Sequence, residues 1–179
     1  MQVPADVAYA AEALAERTRA LNERRANPAG DYVLYWMTTA LRAHENHALE
    51  RALVAGHKLR KPVLVYHALS ARYAHANDRI HRFVLEGEPH LAAALRARDL
   101  PYLFHLGDGG RARHLDALAA RACVVVTDDF PSYDVRDWAE RFAARAPCAV
   151  VAVDAACVVP MRSLGQAFVG ARFDGGAAG

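Results

Sequence analysis

The chain of 179 residues has no apolar run approaching the ~18 residues a membrane-spanning helix needs. It is therefore expected to stay out of the bilayer. Its first residues, Met1-Gln2-Val3-Pro4-Ala5-Asp6, lack the basic and apolar stretches of a secretory signal, so the expected location is cytoplasmic. There are 3 cysteines, Cys123, Cys148 and Cys157, an odd number without C-x-x-C spacing. That excludes a disulfide framework and a zinc ribbon, and leaves Cys123 and Cys148, beside apolar runs, as buried free thiols. An excess of positive charge is also missing. The net charge is +2 and the pI near 8.5, short of the clustered basic face of a nucleic-acid-binding domain, so strong direct DNA binding is not expected. The His residues His67, His75, His81 and His105 share no metal-ligand spacing. Neither a G-x-S-x-G elbow nor a convincing Cys/His or Ser/His/Asp set occurs, and the expectation is no catalytic residue and no metal.

What the sequence does have is apolar content, 54% of residues, enough for a packed core. It falls into short continuous runs: Tyr32–Met37, Val63–His67, Pro101–Leu106, Ala122–Thr127 and Cys148–Val153. Runs of this length, rich in β-branched and aromatic residues, are the signature of strands buried on both faces. Amphipathic stretches separate them. Residues 46–56 place Ala48, Leu49, Ala52 and Leu53 on one side; residues 77–86 place Ile80, Phe83 and Val84 inward. Gly87-Glu88-Pro89 is expected to break or kink that helix before it resumes over residues 90–98, because proline lacks an N–H and clashes one turn back. Further helices are expected over 111–121, with Leu115 and Leu118 inward, and over 134–144, with Val135, Trp138 and Phe142 inward. An additional N-terminal helix is expected over 6–26, ended by Asn27-Pro28-Ala29-Gly30. The fold class is α/β: a doubly wound, Rossmann-like sheet of five parallel strands with helices on both faces. The chain divides into an N-terminal helix and linker (1–30), the α/β domain (31–160) and a flexible tail or linker (161–179).

Sheets of this kind bind ligands outside the carboxyl ends of their strands, where the strand order reverses. Gly107-Asp108-Gly109-Gly110 fits either an anion cradle or a tight strand-to-helix turn; the absence of G-x-G-x-x-G spacing and of a Lys-Ser/Thr pair favours the turn. Asp128 and Asp129, ending the fourth strand, fit either a ligand site or a cap on loop amides. Asn46 has the character of an N-cap, and Arg42 either pairs with Glu45 or meets an acidic partner. Trp36, Tyr66, Tyr73 and Phe130 offer flat surfaces for a ring-shaped ligand, although core packing accounts for Trp36 and Tyr66 equally well.

The ordered set of segments resembles the N-terminal domain of the photolyase/cryptochrome family. Tyr32-Val-Leu-Tyr-Trp-Met37 followed by Arg42-Ala-His-Glu-Asn-His-Ala-Leu49 is similar to the opening of that domain, and the Tyr-Trp-Met form to class II cyclobutane pyrimidine dimer photolyases. Lys61–Val65, Arg79-Ile-His-Arg-Phe-Val-Leu-Glu-Gly87, Val125–Asp128 and Val153–Pro160 are similar to later segments in the same order, and Arg19-Ala-Leu-Asn22 also fits class II. Glu45 stands where the family has Asp, and Pro89 interrupts a helix that usually continues.

The resemblance implies a light-harvesting domain that holds an antenna chromophore (a deazaflavin, a folate or FMN). FAD and the repair chemistry belong to a helical domain in the same or a separate chain, so repair by this chain alone is not expected. Combined with the sheet topology, the ring is expected over Trp36, Met37, Thr38, His67, Leu69, Asp108, Asp128 and Phe130. Two rivals differ in class. One is a non-catalytic protein-interaction module with an exposed apolar patch and no deep pocket; the other is a stress-protein-like ATP binder, against which the missing phosphate loop argues.

Overall fold

A computed structural model describes residues 14–70, 73, 76–107, 111–131 and 133–164. It shows a six-stranded sheet. In chain order the elements are β1 (Thr18–Ala20), β2 (Tyr32–Met37), α1 (His47–Leu59), β3 (Val63–Ser70), α2 (Asp78–Arg96), β4 (Tyr102–Gly107), α3 (Arg111–Ala119), β5 (Ala122–Asp128), α4 (Tyr133–Arg145) and β6 (Ala149–Val153), followed by a 3₁₀ turn at Met161–Leu164. The strand order is β1-β6-β5-β2-β3-β4. The five expected strands, β2 to β6, are all parallel. β2 and β5 lie side by side at the centre, and the winding reverses between them.

Period-two alternation divides the core. Val33, Tyr35 and Met37 of β2 point to the face covered by α1 and α2, where Leu49, Leu91 and Leu95 are buried. Leu34 and Trp36 point to the other face, against Leu115 and Phe142. Both faces are covered, which is why β2 and β5 read as unbroken apolar runs. Asn46 caps α1 by accepting from Leu49 N–H at 3.0 Å, and Asn77 caps α2 by accepting from Ile80 N–H at 2.9 Å. Cys123 and Cys148 are buried free thiols, as expected.

Three expectations are corrected. The first is the N-terminal helix: residues 1–13 lie outside the described residues, and residues 14–26 form a turn and then β1, which pairs antiparallel with β6, Thr18 opposite Val153. Helix propensity in this Ala- and Glu-rich stretch yields to the open edge of β6 and to two arginines. Arg17 donates to the carbonyls of Cys157 and Val158 at 2.6 and 2.7 Å, and Arg19 grips both oxygens of Asp129 at 3.1 and 3.2 Å. Second, Pro89 does not break its helix. α2 runs unbroken for 19 residues, because Pro89 lies on its exposed face, where water can serve the carbonyl of Leu85 that loses its donor. Third, Ile80 and Phe83 do not point inward; they are 43% and 77% exposed, and the inward face of α2 is carried by Glu88, Leu91 and Leu95. Residues 165–179 of the expected tail lie outside the described residues, and its start, Met161–Leu164, is the 3₁₀ turn.

Two glycines behave oppositely under substitution. A Cβ on Gly30 would sit 2.5 Å from the backbone nitrogen of Cys123, whereas one on Gly87 would meet nothing within 4 Å. Gly30→Ala is expected to lower the unfolding free energy by about 1–3 kcal/mol. Gly87→Ala is expected to raise it by about 0.5–1 kcal/mol, since glycine is a poor helix former. Urea denaturation of the two variants checks both signs.

Candidate chromophore-binding rim

At the reversal point β2 ends in a loop that turns back across β5, exposing a row of N–H groups that need an acceptor. Asp128 supplies it. Its Oδ2 accepts from the N–H groups of Thr38, Thr39 and Ala40 at 2.9, 2.7 and 3.0 Å, and from the hydroxyls of Thr38 and Thr39 at 3.2 and 3.3 Å. Its Oδ1 accepts from the Tyr35 hydroxyl at 2.7 Å. Asn46 extends the knot: its Nδ2 donates to the Tyr35 oxygen and to the carbonyls of Ala40 and Arg42 at 3.1, 2.9 and 2.9 Å. Burial, and then the neighbouring Asp128 charge, hold the Tyr35 hydroxyl well above its ordinary pKa. Of the two readings open for Asp128, the geometry favours the cap. Asp129 is engaged by Arg19, and Arg42 donates to the carbonyls of Glu45 and Ala155 at 3.1 and 2.7 Å rather than to a carboxylate.

Beside this knot lies a second buried polar cluster. Nδ1 of His67, on β3, donates to Glu88 Oε1 at 2.6 Å, and the Tyr102 hydroxyl, on β4, donates to Glu88 Oε2 at 2.6 Å. His67 and Glu88 are 4% and 8% exposed, so the cluster pins α2 to the sheet through groups withdrawn from water. Burial first, and then the bond to Glu88, push the Tyr102 hydroxyl above the ordinary tyrosine value. Over Glu88 opens a groove of about 320 Å³, lined by Leu41 of the β2–α1 loop and by Phe83, Val84, Gly87 and Leu91 of α2.

The eight residues expected around a ring are distributed unevenly. Trp36, Met37, His67, Leu69 and Asp128 are buried; Thr38 and Phe130 are partly exposed; Asp108 lies outside the described residues, as do Gly109 and Gly110. The rim joins Thr38 to Asp128 by hydrogen bonds and sets Met37 beside His67 in register. Trp36 is packed edge-on against Phe142, ring centres 5.3 Å apart, and Tyr66 is also in the core. Tyr73 stands edge-on to Trp138 at 5.9 Å. Among the described residues no group of three or more His, Cys, Asp or Glu is arranged to hold a metal ion. Sequence reasoning missed Glu88 and Tyr102. The available signal was a carboxylate one turn before Leu91 on the inward face of α2, where an unpaired charge is not tolerated.

A DNA photolyase family model matches residues 33–168, which takes in every strand of the parallel sheet except the first residue of β2. The chain belongs to the DNA photolyase family. A deoxyribodipyrimidine photo-lyase of Methanothermobacter thermautotrophicus is 41% identical over 86 residues, a stretch that makes up 48% of this chain and 19% of that protein. The match therefore spans about a fifth of that relative's length. Among solved structures, two universal stress proteins of Archaeoglobus fulgidus each overlay 69% of this photolyase-family chain. One has 17% identity, a TM-score of 0.42 and 44% of its own chain covered; the other has 15%, 0.47 and 98%. Likenesses that distant have no bearing on function.

Two measurements follow from the Asp128 knot. Asp128→Asn sets an amide donor against N–H groups that need an acceptor, and is expected to cost about 3 kcal/mol in urea denaturation. Tyr35 keeps its proton in the folded state at a pH where an unfolded tyrosine, with a pKa of about 10, has lost it. Its contribution is thus intact below pH ~10 and is lost above it, by about 1.4 kcal/mol per pH unit. Tyr35→Phe is expected to flatten the alkaline limb of the stability curve by that share; an identical slope in both proteins would contradict the account.

Proposed function

We propose that this chain is the light-harvesting, chromophore-binding N-terminal domain of a class II-like DNA photolyase. The observation that carries the reading is the family match over the α/β sheet, whose strand ends adjoin a groove of ligand size. Passing excitation to FAD requires only that a pigment be held in position with suitable spectral overlap. A domain in that role needs no nucleophile, general acid or metal, and the polar groups at this rim are spent on order rather than on chemistry. The antenna is a deazaflavin, a folate or FMN; FAD and the DNA lesion belong to a helical domain in the same or a separate chain. The role is a cytoplasmic one. No helix among the described residues is long and apolar enough to cross a membrane.

A second reading has its own support. Ile80, Phe83 and Leu85 on α2 and Val158 and Val159 beyond β6 are apolar and exposed, Val158 by 95%, as a protein-interaction module would require.

Equilibrium dialysis of the purified protein against 5-deazaflavin, methenyltetrahydrofolate and FMN separates the two. The antenna reading expects saturable uptake of one of them, and uptake of none would leave the interaction module. Illumination with added FAD and dimer-containing DNA is expected to give no repair by this chain alone. Repaired DNA in that assay would place the chemistry within these residues.

A further inference from the structure

We infer that β4 is a self-recognising edge: two copies of this chain pair antiparallel through Tyr102–Gly107 about a two-fold axis at Phe104, joining their sheets into one. The two edges of the sheet are finished differently. β6 is covered by β1, a short antiparallel strand. At the opposite end β4 is the last strand, and among the described residues none pairs beyond it. Sheet edges are ordinarily blunted by lysine, proline, a bulge or brevity. Tyr102-Leu-Phe-His-Leu-Gly107 contains no lysine, proline or carboxylate, and its 6 residues pair with β3 in one unbroken register. Leu103 and Leu106 are 47% and 62% exposed along it.

The direction of the main-chain groups fixes how a second copy fits. Val65 N–H donates to the Pro101 carbonyl at 2.9 Å, and Val65 stands opposite Tyr102. In a parallel ladder a residue bonds to both neighbours of the one opposite it, so Pro101, Leu103, His105 and Gly107 turn their main-chain groups to β3. Tyr102, Phe104 and Leu106 turn theirs outward. A two-fold axis normal to the sheet at Phe104 sets Phe104 against the partner's Phe104, Tyr102 against the partner's Leu106 and Leu106 against the partner's Tyr102. All the outward groups of the strand are then satisfied, by three pairs of two bonds each. An axis at Leu103 or His105 instead leaves Leu106 or Tyr102 outside the strand pairing. Leu100 does not lengthen the ladder, because its N–H is given to the Leu95 carbonyl at 3.1 Å.

The side chains are complementary in the same register. Tyr102 and Phe104 face α2: the Tyr102 hydroxyl reaches Glu88, and the Phe104 ring lies 5.3 Å from that of His67. Leu106 shares their face by period two. A hollow of about 360 Å³ opens between the end of α2 and the start of β4, lined by Ala92, Arg96, Leu100 and Tyr102 among others. The partner's Leu106, set opposite Tyr102, falls beside this hollow and leaves the water it otherwise faces. On the reverse face Leu103 stands against the partner's His105, a cross-strand contact that shields a second exposed leucine. A net charge of +2 per chain opposes association only weakly. An edge of 6 residues buries less than the ~1,200 Å² of a standard interface, so the dimer is a reversible one, with a Kd on the order of 10 µM.

Sedimentation velocity of the whole chain from ~1 to ~200 µM tests this, and is expected to show monomer passing to dimer across that range. Leu106→Lys places a charge on the edge, and Leu106→Pro removes an outward N–H that β3 does not use. Each is expected to weaken association roughly tenfold or more, with the circular dichroism of Leu106→Lys unchanged. The register has its own readout. In a Cys157→Ser background, Leu103→Cys and His105→Cys chains mixed together are expected to oxidise to a mixed disulfide dimer, since residues opposed in a non-hydrogen-bonded pair lie ~4.5 Å apart at Cα. Neither chain alone is expected to cross-link, because like positions lie a diagonal apart, ~7–8 Å. A monomer at every concentration overturns the proposal. So does a dimer indifferent to both Leu106 variants, or cross-linking of either cysteine chain alone as readily as of the mixture.

Discussion

A single carboxylate organises the working end of this domain. Asp128 lies where the winding of the sheet reverses, and its Oδ2 accepts from three consecutive N–H groups of the loop leaving β2. Without it, those donors would face a dry interior, and an unpaired buried donor costs more than a hydrogen bond contributes. With it, β2, β5 and the start of α1 are locked through Tyr35 and Asn46. The position that topology marks as a ligand crevice is thus closed by the protein's own polar groups, and free space appears one element away, under α2.

The arrangement follows from how charge is handled in the interior. Three acidic groups at or beside the rim are satisfied in three ways: Asp128 by amides and hydroxyls, Glu88 by His67 and Tyr102, and Asp154 by the N–H groups of Ala156, Cys157 and Met161. Asp128 and Asp154 hold loops at strand ends, and Glu88 holds the middle of α2 to the sheet. Glu86, two positions from Glu88, is instead exposed and pairs with Arg82 at 2.7 Å, the kind of surface pair that adds little to stability.

Much of the sheet was legible in the sequence because strands buried on both faces leave little choice of residue. Tyr32–Met37 and Ala122–Thr127 are continuous apolar runs for that reason, and their assignment needed no tertiary information. β1 was not legible: three residues, Thr18–Ala20, carry no periodicity, and their pairing depends on the open edge of β6. The outer face of α2 misled for a related reason. Ile80 and Phe83 have the same helical spacing as Leu91 and Leu95, all four were expected inward, and only the second pair is buried. At the site, Asp128 stood out by its place at a strand end, with its role as cap or ligand left open. Glu88 and His67 are 21 positions apart, and nothing local announces that they meet.

The account makes this domain a holder of a pigment rather than a site of reaction, and the absorption spectrum of the protein purified in native form from its own cells tests that most directly. The account predicts a near-ultraviolet or blue band that travels with the folded protein and is released on denaturation. A protein with no absorption beyond its own aromatic residues would contradict it.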